Sequence, residues 1–287
     1  MDHFRPLYKA HRRGPIQAFD PLDQDRWNDY TAQKSTVACP QSLVTAYSAY
    51  ALTPPDAFTE IRIDGLPGFC IYSGLLTPAV QHELAIEATE LYLHSPLHKT
   101  NFDAHMTVER PIHLFKGTSQ MSAPELQKRL RWVTLGGQYN WTTKVYPSFE
   151  KGSPECPDFP PRLEQFVNSA FSIHADAAIV NYYSQGDILS PHQDVAELTN
   201  SDLVSISLGC DCVFYVGLQR LNCEPLPVLL RSGDIVVMGG ESRFAYHGVG
   251  RIIDETCPDS LQLEEPLATY MKHKRININI RQMYSRH

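Results

Sequence analysis

The sequence predicts an α+β fold: a double-stranded β-helix, or jelly roll, buttressed by helices and preceded by an N-terminal extension. Three observations predict it. Short alternating apolar runs separated by glycine turns fill the second half of the chain, as at Leu203–Leu208, Cys212–Gly217 and Ile235–Met238. Two helical stretches come before them, one from Thr77-Pro78 to about Leu93 and one from Pro161 to about Ile173. The chain then closes on a strand of strict alternation, Arg275-Ile-Asn277-Ile-Asn279-Ile-Arg281. Two small sheets with helices against one face satisfy this order. At 287 residues and 43% hydrophobic, the chain has enough apolar material for one sizeable core.

In chain order, residues 1–58 are loop-rich and punctuated by prolines, and read as an extension wrapping the core. Residues 59–150 form a helical and aromatic region. Its helix has Pro78 at the first position, where the missing N–H costs nothing. Its later part carries Trp132, Tyr139, Trp141 and Tyr146, and Tyr139 and Trp141 share strand parity. Residues 151–287 hold the jelly-roll core. No internal repeat or low-complexity tract interrupts the pattern.

The closing strand has an unusual polar face. Side chains alternate across a strand, so Ile276, Ile278 and Ile280 lie on one side and Arg275, Asn277, Asn279 and Arg281 on the other. Asparagine is a poor strand former, and two in one strand require a reason. Taken alone, a solvated edge and the wall of a polar cavity explain it equally well. Residues upstream favour the cavity.

His192-Gln193-Asp194 follows a strand-like run that ends in the turn residues Gly186 and Asp187. At a strand end, positions 192 and 194 point the same way, so an imidazole and a carboxylate share one direction. His247 comes 55 residues later, which leaves room for about four strands of five to eight residues. Two histidines and one carboxylate leave coordination positions open and suit Fe(II) and O2 chemistry. With 12 histidines a chance pair is expected, and His174-Ala-Asp176 is one; it closes a helix, so its side chains diverge and it is assigned to the surface. Arg275 and Arg281 are about 20 Å apart along the backbone at roughly 3.3 Å per residue, too far to grip one carboxylate together. Reaching inward, they match the two ends of a short dicarboxylate such as 2-oxoglutarate, whose keto-acid end chelates iron. The alternative for each arginine is a buried salt bridge to an internal Asp or Glu.

These residues resemble the AlkB group of Fe(II)/2-oxoglutarate dioxygenases, with its N-x-Y, H-x-D, H and R-x-N-x-T-x-R pattern. The matching residues are Asn181 and Tyr183; His192 and Asp194; His247; and Arg275, Asn277 and Arg281. Ser232–Arg243 is similar to the strand and loop before the last histidine. Gly65–Phe69, Leu130–Gly136 with Tyr139-Asn-Trp141, and Tyr270–Arg275 resemble the eukaryotic AlkB homologue-one branch. The resemblance implies an iron held by His192, Asp194 and His247. It implies a 2-oxoglutarate whose distal carboxylate meets Arg275, Asn181 and Tyr183, with Arg281 and Asn277 at the iron-proximal end. With O2, such a centre hydroxylates an N-methyl group, which leaves as formaldehyde. The aromatic region is then a lid over the substrate, with Tyr139 and Trp141 as stacking residues for a flipped base. Two positions depart from the pattern: Asn279 stands where the family usually has Thr, and Ala196 where some members carry an Asp beside the base, with Glu197 as its expected substitute.

For the substrate, the resemblance points to methylated bases of tRNA or DNA. Methylated histone is a second class. A third is strand cleavage at abasic sites, which requires an amine nucleophile and no iron; Lys128 and Lys144, flanking the aromatic segment, are its candidates. A fourth is an iron-binding adaptor without productive chemistry.

Composition agrees with this picture. A net charge of -7 does not suggest a bulk nucleic-acid binder, yet Lys128, Arg129 and Arg131 form one basic cluster, and Pro266 to His287 hold five Lys or Arg and no acid. Seven cysteines without a C-x-x-C pair fit reduced thiols in an intracellular setting, with Cys210 and Cys212 on one strand face. No apolar run has transmembrane length, and no membrane role is expected. The nucleus and cytoplasm are the expected compartments; Arg5, Lys9, Arg12 and Arg13 fit either a mitochondrial address or a nucleic-acid-facing arm.

Overall fold

The computed structural model describes residues 3–11, 14–16, 18–23, 31–148, 150–218 and 224–285. Strands β1 (Ala32–Ala38), β2 (Ala57–Ile63), β3 (Phe69–Ser73), β4 (Trp132–Gly136), β5 (Ala177–Ser184), β7 (Leu203–Gly209), β10 (Ile235–Met238) and β12 (Lys274–Arg281) form one sheet. Their order across it is β1-β2-β3-β10-β7-β12-β5-β4. A second sheet joins β6 (Leu189–His192), β11 (Tyr246–Ile253), β8 (Asp211–Gly217) and β9 (Leu226–Leu230), in that order. All strand pairs within both sheets are antiparallel. This is the predicted α+β jelly roll, and four strands separate His192 from His247, as the spacing required.

Helices cover the outer face of the large sheet. The predicted helix at Pro78 runs as α3 (Pro78–Ile86), passes through a π-helical turn at Glu87–Leu91 and ends in α4 (Tyr92–His94). The helix predicted from Pro161 to about Ile173 is α6 (Pro161–Ala170), stopped where Phe171 turns extended at φ -131°, ψ 153°. The fully buried Ile276, Ile278 and Ile280 pack against these helices, in one cluster with Leu84, Phe166 and Tyr270. A second apolar cluster, including Phe69, Phe214 and Val249, fills the space between the sheets. β12 pairs with both β5 and β7, so its polar face has nowhere to go but into that inter-sheet space.

Several expectations change on folding. β1 to β4 belong to the large sheet and β2 straddles residue 58, so the divisions at 58 and 150 do not isolate the sheet in residues 151–287. Part of the extension does lie over the core: Phe4 and Tyr8 of α1 (Phe4–His11) cluster with Val213 and Tyr215 on the small sheet. Arg12 and Arg13 lie outside the described residues. The basic carboxy-terminal run is not a rim, because Lys274, Arg275 and Arg281 are buried in β12. Asp176 is likewise not on the surface; it is 2% exposed and its carboxylate accepts the Met283 N–H, tying down the end of β12, while His174 is exposed. Among the described residues, no helix is long and apolar enough to cross a membrane.

One glycine holds the large sheet to the loop before β11. Gly68 sits at φ +82°, and a methyl there would fall on the carbonyl of Gly239, whose N–H donates to the Gly68 carbonyl at 2.9 Å. Gly68→Ala is therefore expected to lower stability by roughly 2 kcal/mol or more, read as a fall in the urea midpoint at unchanged slope.

Candidate active site

The two histidines meet by strand pairing. β6 and β11 are neighbours, with His247 directly opposite His192 and their ring centroids 4.4 Å apart. Asp194, two residues beyond the end of β6, places its carboxylate 3.7 Å from His192 Nε2 and 3.9 Å from His247 Nε2. The first separation is to Oδ1 and the second to Oδ2, and each is within the about 4.2 Å that two donors about 2.1 Å from one ion can span. Ligand atoms from all three residues lie within 4.8 Å of one another. Each imidazole turns Nδ1 to a main-chain carbonyl, His192 to Ser190 at 3.0 Å and His247 to Ala245 at 3.1 Å. Donation there leaves the Nε2 lone pair for the metal.

Electrostatics keep the ligands in their binding forms. Burial and the neighbouring His192 push the His247 pKa down to about 4, which leaves it neutral at physiological pH. Burial alone would raise the pKa of Asp194, but Arg281, His247 and His192 outweigh it and hold the carboxyl well below the usual carboxylate range.

Asp194 is also held from behind. Arg281 Nη2 donates to its Oδ2 at 2.8 Å, and Asn279 Nδ2 reaches the same oxygen at 3.2 Å. Arg281 Nε faces Glu197 at 3.3 Å, and Glu197 accepts from Arg243 Nη2 at 2.9 Å. Arg243 in turn donates to the main-chain carbonyls of Asp194 at 2.9 Å and Ser201 at 2.7 Å. Two carboxylates and two guanidiniums thus balance in a buried chain that fixes both the backbone and the side chain of Asp194. Two residues with expected site roles belong to this chain. Arg281 is engaged by Asp194 and Glu197, the salt-bridge alternative raised above, and only its Nη1 lacks a partner. Glu197, expected beside the base, lines the cavity with its side chain 2% exposed between Arg243 and Arg281.

The other end of β12 presents a different environment. Its register sets Arg275 opposite Tyr183 and Asn277 opposite Asn181, so the N-x-Y and R-x-N pairs form one patch of the cavity wall. Arg275 is 1% exposed, and only its Nη2 is engaged, with Ser207 Oγ at 2.9 Å. Arg275 Nε and Nη1 and the Tyr183 hydroxyl are buried without hydrogen-bond partners. A buried cation and a hydroxyl lacking an acceptor match an incoming carboxylate. Asn277 differs, since its amide nitrogen is bound to Ser205 Oγ and the Ile206 carbonyl. Ser205 and Ser207 escaped the sequence reading, although Val204-Ser-Ile-Ser-Leu208 repeats the polar alternation of β12 on the adjacent strand.

The cavity, about 640 Å³, opens toward the aromatic segment. Tyr139 and Trp141 are not on a strand: Trp141 lies in a turn closed by Asn140 and Val145, Tyr139 immediately precedes that turn, and their rings meet edge to face at 5.0 Å. Trp141 also lies against Trp132 at 5.1 Å, while Tyr139 touches the buried Tyr146 at 5.6 Å. Of the two lysines considered for amine chemistry, Lys144 borders the cavity; Lys128 does not line it and is exposed on α5 (Ala123–Arg129).

Comparison with known proteins agrees with this geometry. Residues 68–281 match the family described as the 2OG-Fe(II) oxygenase superfamily. The chain is 35% identical over 271 residues to the N6-methyladenosine RNA demethylase ALKB1 of Pyricularia oryzae, a match spanning 76% of this chain and 75% of that protein. It is 39% identical over 187 residues to the tRNA demethylase abh1 of Schizosaccharomyces pombe, spanning 62% of this chain and 56% of that protein. The solved structure of OsALKBH1 shares the fold, with a TM-score of 0.50 at 21% identity over 75% of this chain and 97% of that one. With the His192, Asp194 and His247 cluster in place, the chain belongs to the 2OG-Fe(II) oxygenase superfamily, on the AlkB homologue-one branch, and its cofactors are Fe(II) and 2-oxoglutarate.

Proposed function

We propose that this enzyme oxidatively demethylates an N-methylated base in nucleic acid, with RNA such as tRNA as the leading polymer and DNA as the other. The observation that carries the reading is the aromatic lid. Trp141, 47% exposed, stands with Tyr139 at the mouth of the cavity that contains the three metal-binding side chains. The exposed Trp141 ring against the half-buried Tyr139 offers a stacking face to a base drawn out of its helix, and a methyl on a paired base is otherwise out of reach. RNA is favoured by the names of the two relatives above.

When bound, Fe(II) and 2-oxoglutarate supply the oxidation of the N-methyl group by O2, with succinate and CO2 as co-products and formaldehyde lost from the hydroxymethyl base. His192, Asp194 and His247 would hold the ion, and a three-residue ligand set would leave it positions for other groups. Arg275 and Tyr183 would bind the far carboxylate of 2-oxoglutarate, and Asn181 borders the same space. Arg281 and Asn279 keep the Asp194 carboxylate aimed at the metal. Apolar walls from Phe214, Met238 and Val249 exclude water around the reacting groups.

Succinate release against N-methylated tRNA, N-methylated DNA and methylated histone peptides, each with and without EDTA, tests the reading. EDTA-sensitive release above background is expected with nucleic acid, and release with histone peptide alone would overturn it. Cleavage of abasic DNA that survives EDTA, is trapped by borohydride and is lost in Lys144→Ala would assign amine chemistry to Lys144. In the same assay Trp141→Ala is expected to raise KM for the oligonucleotide about tenfold, the worth of one stacked base, without altering KM for 2-oxoglutarate.

A further inference from the structure

We propose that Asn279 selects the base, its amide oxygen accepting from the amino edge of an adenine- or cytosine-type methylated base and rejecting bases that present a carbonyl there. The inference rests on the reading of the cavity as a methylated-base site.

Asn279 lies on β12 between Asn277 and Arg281, cross-strand from Ile179 and Ser205, and it lines the cavity at 8% exposure. Its two amide atoms have different fates. Nδ2 donates to Asp194 Oδ2 at 3.2 Å, while Oδ1 is buried with no hydrogen-bond partner. A carboxylate only accepts, so the amide cannot be turned over without setting two acceptors against each other. Asp194 therefore fixes the orientation of the amide and leaves an acceptor without a donor.

This sets Asn279 apart from the other unpartnered groups in the cavity. Those on Arg275, Arg281 and Tyr183 are a guanidinium or a hydroxyl, each able to donate to an anionic cosubstrate. Asn279 Oδ1 cannot donate, and a carboxylate does not satisfy it. It needs an N–H or O–H, and a buried polar atom left unpaired carries a cost that a ligand donor removes. Its place along the strand suits a base. The next residue on the same face, Arg281, has Tyr146 beside it, and Tyr146 touches Tyr139 of the lid. Asn279 and Arg281 share Asp194 Oδ2, so Asn279 stands at the Asp194 end of β12, away from Arg275.

The chemistry then divides the methylated bases. N6-methyladenine keeps one N–H on the methylated nitrogen, and N1-methyladenine and N3-methylcytosine carry an amino group next to the methylated position. N1-methylinosine and N3-methyluracil have no amino group beside the methylated nitrogen and place a carbonyl there, which would face the Asn279 oxygen as acceptor against acceptor.

Two RNA oligonucleotides identical except for one N1-methyladenine or one N1-methylinosine test this, since the methyl position is shared and the two rings differ only in the group at position 6, amino against carbonyl. Fe(II)- and 2-oxoglutarate-dependent demethylation should favour the adenine by about tenfold or more in kcat/KM, the worth of one buried hydrogen bond. Fluorescence anisotropy with metal-free protein should show the same preference in binding. Asn279→Thr, whose hydroxyl both donates and accepts, should bring both ratios toward one. Equal use of the two RNAs by the unaltered enzyme overturns the proposal. So does an unchanged ratio in Asn279→Thr accompanied by weaker Co(II) binding, which would make Asn279 only a support for Asp194. Turnover of histone peptide with neither RNA used would instead overturn the base-site reading itself.

Discussion

Asp194→Ala is expected to abolish 2-oxoglutarate turnover, with succinate release falling at least about a thousandfold because the metal loses its sole carboxylate ligand. A second effect comes from the groups behind it. Arg281 Nη2 and the Asn279 amide would lose their acceptor in a buried site. Removing one partner of a buried ion pair typically costs about 3 kcal/mol or more, although Glu197 remains on Arg281 Nε. Asp194→Asn separates the two effects. Its amide oxygen still accepts from Arg281 but its lost charge no longer balances the guanidinium, so the metal-free protein should unfold at a urea concentration between those of the unaltered protein and Asp194→Ala, while metal-dependent turnover stays lost. Full turnover in either variant would dismiss the ligand assignment.

Arg275→Met is expected to move function and stability in opposite directions. Methionine approximates the length of arginine without its charge. If Arg275 binds the far carboxylate of 2-oxoglutarate, losing two charge-assisted hydrogen bonds should raise KM for 2-oxoglutarate by about a hundredfold. In the metal-free protein this guanidinium is 1% exposed and has Ser207 Oγ as its hydrogen-bonded neighbour, with Nε and Nη1 unpartnered. Replacing an uncompensated buried charge with an apolar side chain of similar volume is neutral or stabilising. The melting temperature of Arg275→Met should therefore hold or rise. An unchanged KM together with a lower melting temperature would make Arg275 a structural residue.

Much of the metal centre was legible because its signals are local. Strand alternation in Arg275–Arg281 follows from the geometry of one strand, and it sorted the isoleucines from the polar residues correctly. The spacing from His192 to His247 anticipated four strands between them, and β7 to β10 occupy that interval. Strand parity failed for Tyr139 and Trp141 because the Asn140 side chain caps a turn there, accepting from the N–H groups of Thr142 and Thr143. Charge counting failed for the carboxy-terminal run because composition does not record which face of a central strand a lysine or arginine occupies. Lys274 donates inward to Gln127 and Ser184 and never reaches the surface.

By itself the sequence determined the strand pattern, the identity of the three metal-binding side chains and the polar face of β12, because each depends on the period of the backbone or on short spacings. Only the tertiary structure decided which acceptor each buried donor would find. Arg281 meets Asp194 and Glu197 because the loop after β6 folds back under Arg243, 46 residues beyond Glu197. That pairing left Arg275 with donors to offer and Asn279 with an acceptor. Partner choice in a buried ion pair depends on three-dimensional distance and desolvation, and no periodicity along the chain encodes either.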